Sequence, residues 1–166
     1  MSHPLARLAA AAGLSLAFAL PAGAEELPQR KPGLWESRSI GADGETVAKQ
    51  CVGEGTDKAA VGVMTGKACA KNEVTKTAEG FKVETECQLG EIKASGSGVI
   101  SGDFVSTVRT ETTTTLTGAP GQSGPLTRKT VIEAKRLGDC EAGQKPGDII
   151  LPDGKVIPMP AAPGAK

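Results

Sequence analysis

Cys51, Cys69, Cys87 and Cys140 are the residues of this 166-residue chain with the most definite chemistry. They are far apart, with no Cys-x-x-Cys pair, and the only histidine is His3. A zinc site draws on close cysteine pairs assisted by histidine, and a redox-active dithiol needs the Cys-x-x-Cys spacing. Both are excluded by this layout. An even cysteine count in an exported chain reads as two disulfides, for which three connectivities exist. Other candidates are thinner. Ser95, Ser97 and Ser101 lie among glycines, but Gly96-Ser97-Gly98 lacks the Gly-x-Ser-x-Gly spacing of a nucleophile elbow. Any general base would have to be a lysine or a carboxylate, and Glu84 and Glu86 alternate with apolar residues as a solvated strand face does. Asp139, Glu141 and Asp148 are scattered and form no calcium loop. Thr112-Thr113-Thr114-Thr115 resembles a hydroxyl ladder, yet without an internal repeat a β-branched strand explains it. Trp35, the sole tryptophan, is a candidate surface contact for a sugar or apolar ligand; its large body suits a core better. No catalytic, cofactor or metal constellation emerges, and no cofactor is expected.

The compartment bears on all of this. One positive charge, Arg7, precedes an uncharged apolar run from Leu8 to Leu20, then Pro21 and the small residues Ala22-Gly23-Ala24. These are the zones of a secretory signal peptide over residues 1–24, with cleavage expected after Ala24. The run is too short for a transmembrane anchor, which needs about 20 apolar residues. Periplasmic or secreted localisation follows. His3, Arg7 and Phe18 leave with the signal, so the mature chain carries one net negative charge and three aromatic rings, Trp35, Phe81 and Phe104. So even a balance gives no electrostatic reason for a nucleic-acid or anionic-membrane partner. So few rings make no base-stacking surface.

Period-two alternation dominates the mature chain. Phe81, Val83, Thr85, Cys87 and Leu89 point one way with polar residues between them, the mark of a half-buried strand. Strands are also expected at Leu34–Ile40, Thr46–Val52, Cys69–Thr77, Glu91–Ile100, Asp103–Leu116 and Leu126–Leu137, separated by Gly-rich turns. A short helix is expected from Thr56 to about Met64, with Thr56 as N-cap and Asp57 in the first turn. The fold class is all-β, an antiparallel meander of seven or eight strands forming a curved sheet or partial barrel. Residues 25–142 form the β-rich domain. Residues 143–166 are a Pro/Gly-rich tail, in which Ile149-Ile150-Leu151 and Lys155-Val156-Ile157 flank a turn at Pro152-Asp153-Gly154.

A hairpin loop at Ala78-Glu79-Gly80 gives one cysteine pairing a geometric basis. Folding the chain about Ala78 sets Cys69 opposite Cys87, within disulfide reach. Cys51 and Cys140 then pair by elimination.

The run Lys31-Pro32-Gly33-Leu34-Trp35-Glu36, with Gln50-Cys51-Val52, the Cys69 and Cys87 pair and Arg136-Leu137-Gly138-Asp139-Cys140, resembles the DUF3617 family of small exported bacterial proteins. The likeness covers Pro32 to Cys140, with threonines in later strands where family members place more Met and Tyr. It implies an exported β domain with four cysteines and no assigned activity. The favoured reading is a non-enzymatic periplasmic module that binds a small ligand or an envelope partner through its sheet or its tail. The alternatives are an enzyme with a lysine or carboxylate base and a purely structural envelope protein.

Overall fold

The computed structural model describes residues 25–65 and 68–159. The expected signal peptide and residues 160–166 of the tail lie outside the described residues. In chain order the elements are β1 (Gly33–Gly41), β2 (Gly44–Val52), α1 (Thr56–Thr65), β3 (Cys69–Lys76), β4 (Phe81–Leu89), β5 (Ile92–Gly102), β6 (Thr107–Thr117), β7 (Leu126–Gly138), β8 (Ile149–Ile150) and β9 (Val156–Ile157). All strand pairs are antiparallel, and they make one open sheet ordered β3-β4-β5-β6-β7-β1-β2-β8-β9. The all-β, disulfide-stapled class expected from the alternation is therefore the fold. The meander itself runs only from β3 to β7. The β1–β2 hairpin joins at the β7 side, and the β8–β9 hairpin extends that side further.

This order makes the connection from β2 to β3 long. It must pass six inter-strand spacings, roughly 29 Å on a flat sheet at about 4.8 Å each. Ten of its residues are helical, reaching about 15 Å. Its start is pinned by Arg30, whose guanidinium hydrogen-bonds Asp57 of α1 at 2.7 Å and Gln50 of β2 at 2.8 Å. Gln50 faces Trp35 across the β1–β2 ladder, so α1 begins on the Trp35 side of the sheet.

That side holds the core. Trp35 (0% exposed), Val52, Val108 and Ala134 are buried together, and Ile100 and Phe104 pack against them. Each fully buried aliphatic side chain of this kind stabilises the fold by about 1.5–3 kcal/mol. The indole N–H donates to the Lys31 carbonyl at 2.8 Å, and the Arg30 guanidinium lies 5.4 Å from the ring centroid. On the opposite side at the same end, Leu34 and Cys51 are cross-strand neighbours and both buried.

Three local expectations are corrected. Thr56 does not cap α1: its hydroxyl accepts the Gly53 N–H at 2.9 Å, and the first helical bond runs from the Ala59 N–H to the Gly55 carbonyl. Asp57 turns to Arg30, a charge-assisted partner stronger than helix amides. The β6 strand begins at Thr107, because the Asp103 carboxylate gathers the N–H groups of Val105, Ser106 and Thr107 at 2.8–3.0 Å and the Ser106 hydroxyl at 2.5 Å. That closes a loop in which Phe104 takes φ 57°. The hairpin after β3 is tighter than a loop centred on Ala78. Thr77 and Gly80 are hydrogen-bonded to each other, leaving a two-residue turn at Ala78-Glu79. Lys76 therefore pairs with Phe81, and a bulge between Cys69 and Lys71 shifts the register back by one so that Cys69 faces Cys87.

Candidate functional site

Where the cysteines lie is settled first. Cys69 is bonded to Cys87 and Cys51 to Cys140, and no cysteine among the described residues is free. Both bonds are structural. Trp35, the candidate surface contact, has no exposed surface, so that expectation is corrected. A ring of its size fills the space above Val52, Val108 and Ala134, and its N–H is satisfied inside the protein.

The residues around Trp35 are equally committed. Gly33 has φ +141°, and a side chain there would strike the Gly138 carbonyl and the Arg136 guanidinium. Arg136 Nε donates to the Pro32 carbonyl at 3.0 Å, and its terminal nitrogen pairs with Asp139 at 2.7 Å. The Pro-Gly-Leu-Trp and Arg-Leu-Gly-Asp-Cys runs are thus two halves of one joint, where β1 meets β7 beside the Cys51–Cys140 bond. Glu141 and Asp148 are used in turns of the following loop, where Asp148 accepts the Lys145 N–H at 2.8 Å.

Chemistry-bearing side chains converge elsewhere, over β3 to β6, on the face opposite Trp35. Register brings them into rows. Lys71, Glu86, Ser95, Thr115 and Thr127 are successive cross-strand partners on β3, β4, β5, β6 and β7. The next row runs Glu73, Glu84, Ser97, Thr113 and Lys129. Ser95 and Ser97 are shorter than the glutamates on one side of them, and the sheet surface dips there. Two adjoining hollows of about 230 and 350 Å³ result, sharing Glu86, Ser95 and Thr115. Lys71, Glu84, Ser97 and Thr113 line the first, and Gln88, Lys93 and Thr117 the second. Together they form an open trough, polar in the first hollow and lined also by Ala70, Cys87 and Ala94 in the second. On its far side the glycines of β5 allow close packing: a Cβ on Gly96 would lie 2.7 Å from the Thr85 hydroxyl.

The charges within it are arranged to neutralise one another. Lys71 Nζ lies 3.2 Å from Glu84 and 3.4 Å from Glu73, and Lys82 lies 3.0 Å from Glu84. The hydrogen bond from Lys71 to Glu84, followed by the charges of Glu73 and Glu84, raises the lysine pKa above its usual value. Hydrogen bonds from Lys82 and Lys71 lower that of Glu84. Both shifts fix the charged forms. A lysine base needs its pKa lowered, and a carboxylate acid needs its pKa raised, to move protons near neutral pH. Glu86, in the middle of the trough, has no ion-pair partner among the described residues. Thr115 and Thr127 hydroxyls meet at 3.0 Å.

Three sets of residues that seemed unrelated in sequence are neighbours here, namely Ser95 with Ser97, Glu84 with Glu86, and part of the threonine run, while Ser101 lies outside the hollows opposite Arg109. Only alternate threonines take part: Thr113 and Thr115 face the trough, while Thr112 and Thr114 face away. Lys71 and Thr127 carried no signal in sequence, since only the strand register places them. Among the described residues no group of three His, Cys, Asp or Glu side chains could hold a metal ion, and no helix is long and apolar enough to cross a membrane.

A family model for proteins of unknown function, DUF3617, matches residues 30–140. The match covers most of the chain and begins at Arg30 and ends at Cys140, the outer limits of the joint around Trp35. No curated protein and no solved structure matches. The chain belongs to the DUF3617 family.

Proposed function

We propose that this DUF3617 protein is an exported, non-enzymatic binding module that holds a small ligand or an envelope partner on its open sheet. The observation that carries the reading is the polar trough over β3–β6, the place where hydroxyls, carboxylates and lysines converge on an accessible surface. Its one lysine–carboxylate cluster is self-neutralised, which speaks against the lysine- or carboxylate-base enzyme. Two disulfides suit an oxidising, extracytoplasmic compartment. Glu25, the expected mature start, is tied to the sheet through its carboxylate, which accepts the Lys76 N–H at 2.7 Å.

Native mass spectrometry of the protein purified from periplasm tests both parts. The expected result is a chain beginning at Glu25 with two disulfides and a co-purifying small molecule or envelope protein. A product that retains Met1 in the cytoplasm overturns the export reading. Turnover in a broad esterase and peptidase screen that is lost in Lys71→Met overturns the non-enzymatic one.

A further inference from the structure

We infer that the trough is a saccharide site, taking a short uncharged glycan with Glu86 as the carboxylate that orients it; this rests on the binding-module reading above. Serine and threonine hydroxyls both donate and accept, carboxylates only accept, and lysines only donate. A ligand complementary to that mixture presents many groups that themselves donate and accept, closely spaced on one molecule. Polyols do this. The grid has about 4.8 Å between strands and about 6.8 Å between rows, the scale of a sugar ring and its substituents. Glu86 sits in both hollows with Ser95 and Thr115 beside it, so its two oxygens can receive two adjacent sugar hydroxyls while the flanking hydroxyls bond the next ones.

Other ligand classes fit worse. An anion meets Glu84 and Glu86 in the first hollow, where Lys71 is already engaged by Glu73 and Glu84, and in the second hollow it has Lys93 alone beside Glu86. A lipid chain meets no large apolar side chain, for the apolar residues lining the second hollow are the small ones Ala70, Cys87 and Ala94. The rings of the described residues are occupied elsewhere: Trp35 is buried, and Phe81 and Phe104 pack edge to face at 5.9 Å. Without a stacking ring the site binds weakly, with a Kd of about 1–10 mM, as expected for an open, wet contact.

The test is an amide chemical-shift titration of the disulfide-intact chain from Glu25 to Lys166. The probes are maltotriose and the N-acetylated trisaccharide of glucosamine, with spermidine, decanoate and inorganic phosphate as competitors of other chemistry. Saturable shifts at Glu86, Ser95 and Thr115 with a trisaccharide, weakened at least about fivefold by Glu86→Gln with an unchanged melting temperature, are the expected result. Thr114→Ser, on the opposite side of the pleat, should leave them intact. The site is overturned by unchanged spectra with both sugars at roughly 50 mM, by shifts confined to other regions, or by tighter binding of spermidine, decanoate or phosphate. A lipid or protein that co-purifies from periplasm while both sugars fail would sink the saccharide assignment and leave the binding module standing.

Discussion

The two ends of the sheet are built on opposite principles. At the Trp35 end, nearly every polar group has a partner within the protein, the side chains are buried, and two distant segments lock across the β1–β7 pair. At the trough end, the β4 and β5 strands bury one face only partly and turn carboxylates and hydroxyls to solvent on the other. Most of the residues that carry the family likeness lie at the first end, while the Cys69–Cys87 pair lies at the second. The first end supplies the means of closing a sheet whose first and last long strands must find each other. A ligand surface would be sought at the second end, where the side chains can vary without cost to the fold.

The largest expected effect breaks this contrast if it fails. Trp35→Ala empties the centre of the small core and should cost about 3–5 kcal/mol in urea unfolding, whereas Glu86→Ala or Thr115→Ala should stay within about 0.5 kcal/mol. Comparable losses at both ends would mean that the trough is structural.

The disulfides come next. Cys51–Cys140 closes a loop of 89 residues and Cys69–Cys87 one of 18. The chain-entropy model assigns them about 4.5 and about 3 kcal/mol. Cys140→Ser should therefore lower the denaturation midpoint more than Cys87→Ser, and non-reducing peptide mapping of each variant should show the other bond intact.

A smaller effect probes the floor of the trough. A methyl group on Gly98 would lie 2.8 Å from the Thr112 side chain and press on the Glu111 carbonyl. Gly98→Ala should cost about 1–3 kcal/mol through overpacking. In the saccharide titration it should also shift the amides of Ser97 and Thr113, because β5 must move away from β6.

Much of the fold was legible in sequence because its elements follow local rules. The alternation in Phe81–Leu89 marks β4 to the residue, and the Gly41-Ala42-Asp43-Gly44 turn closes β1 on β2 where the glycines stand. Side-chain competition hid the rest. Thr56 reads as a helix cap until Gly53 claims its hydroxyl, and Asp103 reads as strand until its carboxylate gathers three amides. The cysteine facing follows from a tighter turn and a compensating bulge, two departures that cancel. The trough was not legible at all as a site. It depends on the lateral register of four strands, and no single strand supplies the whole set.

The smallest effect is one of pH. The Ser106 hydroxyl and then the amides of Thr107, Ser106 and Val105 hold the Asp103 carboxyl well below the usual carboxylate range. A depressed folded pKa contributes stability above the unfolded value, near about 3.9, and that contribution fades as pH falls further towards the folded value. Asp103→Asn should flatten the acid limb of the stability curve below about pH 4 and leave the Trp35 fluorescence of the folded protein unchanged at neutral pH. An acid limb identical to wild type would show that the loop closing on Phe104 is held by its packing alone.

The nesting of one cross-link inside the other has a consequence in time. Cys69–Cys87 lies wholly within the loop closed by Cys51–Cys140. In a chain that crosses a membrane N-terminus first, Cys51 and Cys69 reach the oxidising side together, long before Cys140. An oxidant that acts on thiols in order of arrival joins the wrong two, and β1 meanwhile has no β7 to pair with. The native bonds then require either that Cys51 wait as a thiol until the last long strand arrives, or that a third thiol attack the early bond and pass it on by exchange. Where the early bond forms, maturation of this small sheet requires an isomerising thiol, and cells lacking such an activity should accumulate the chain with Cys51 joined to Cys69.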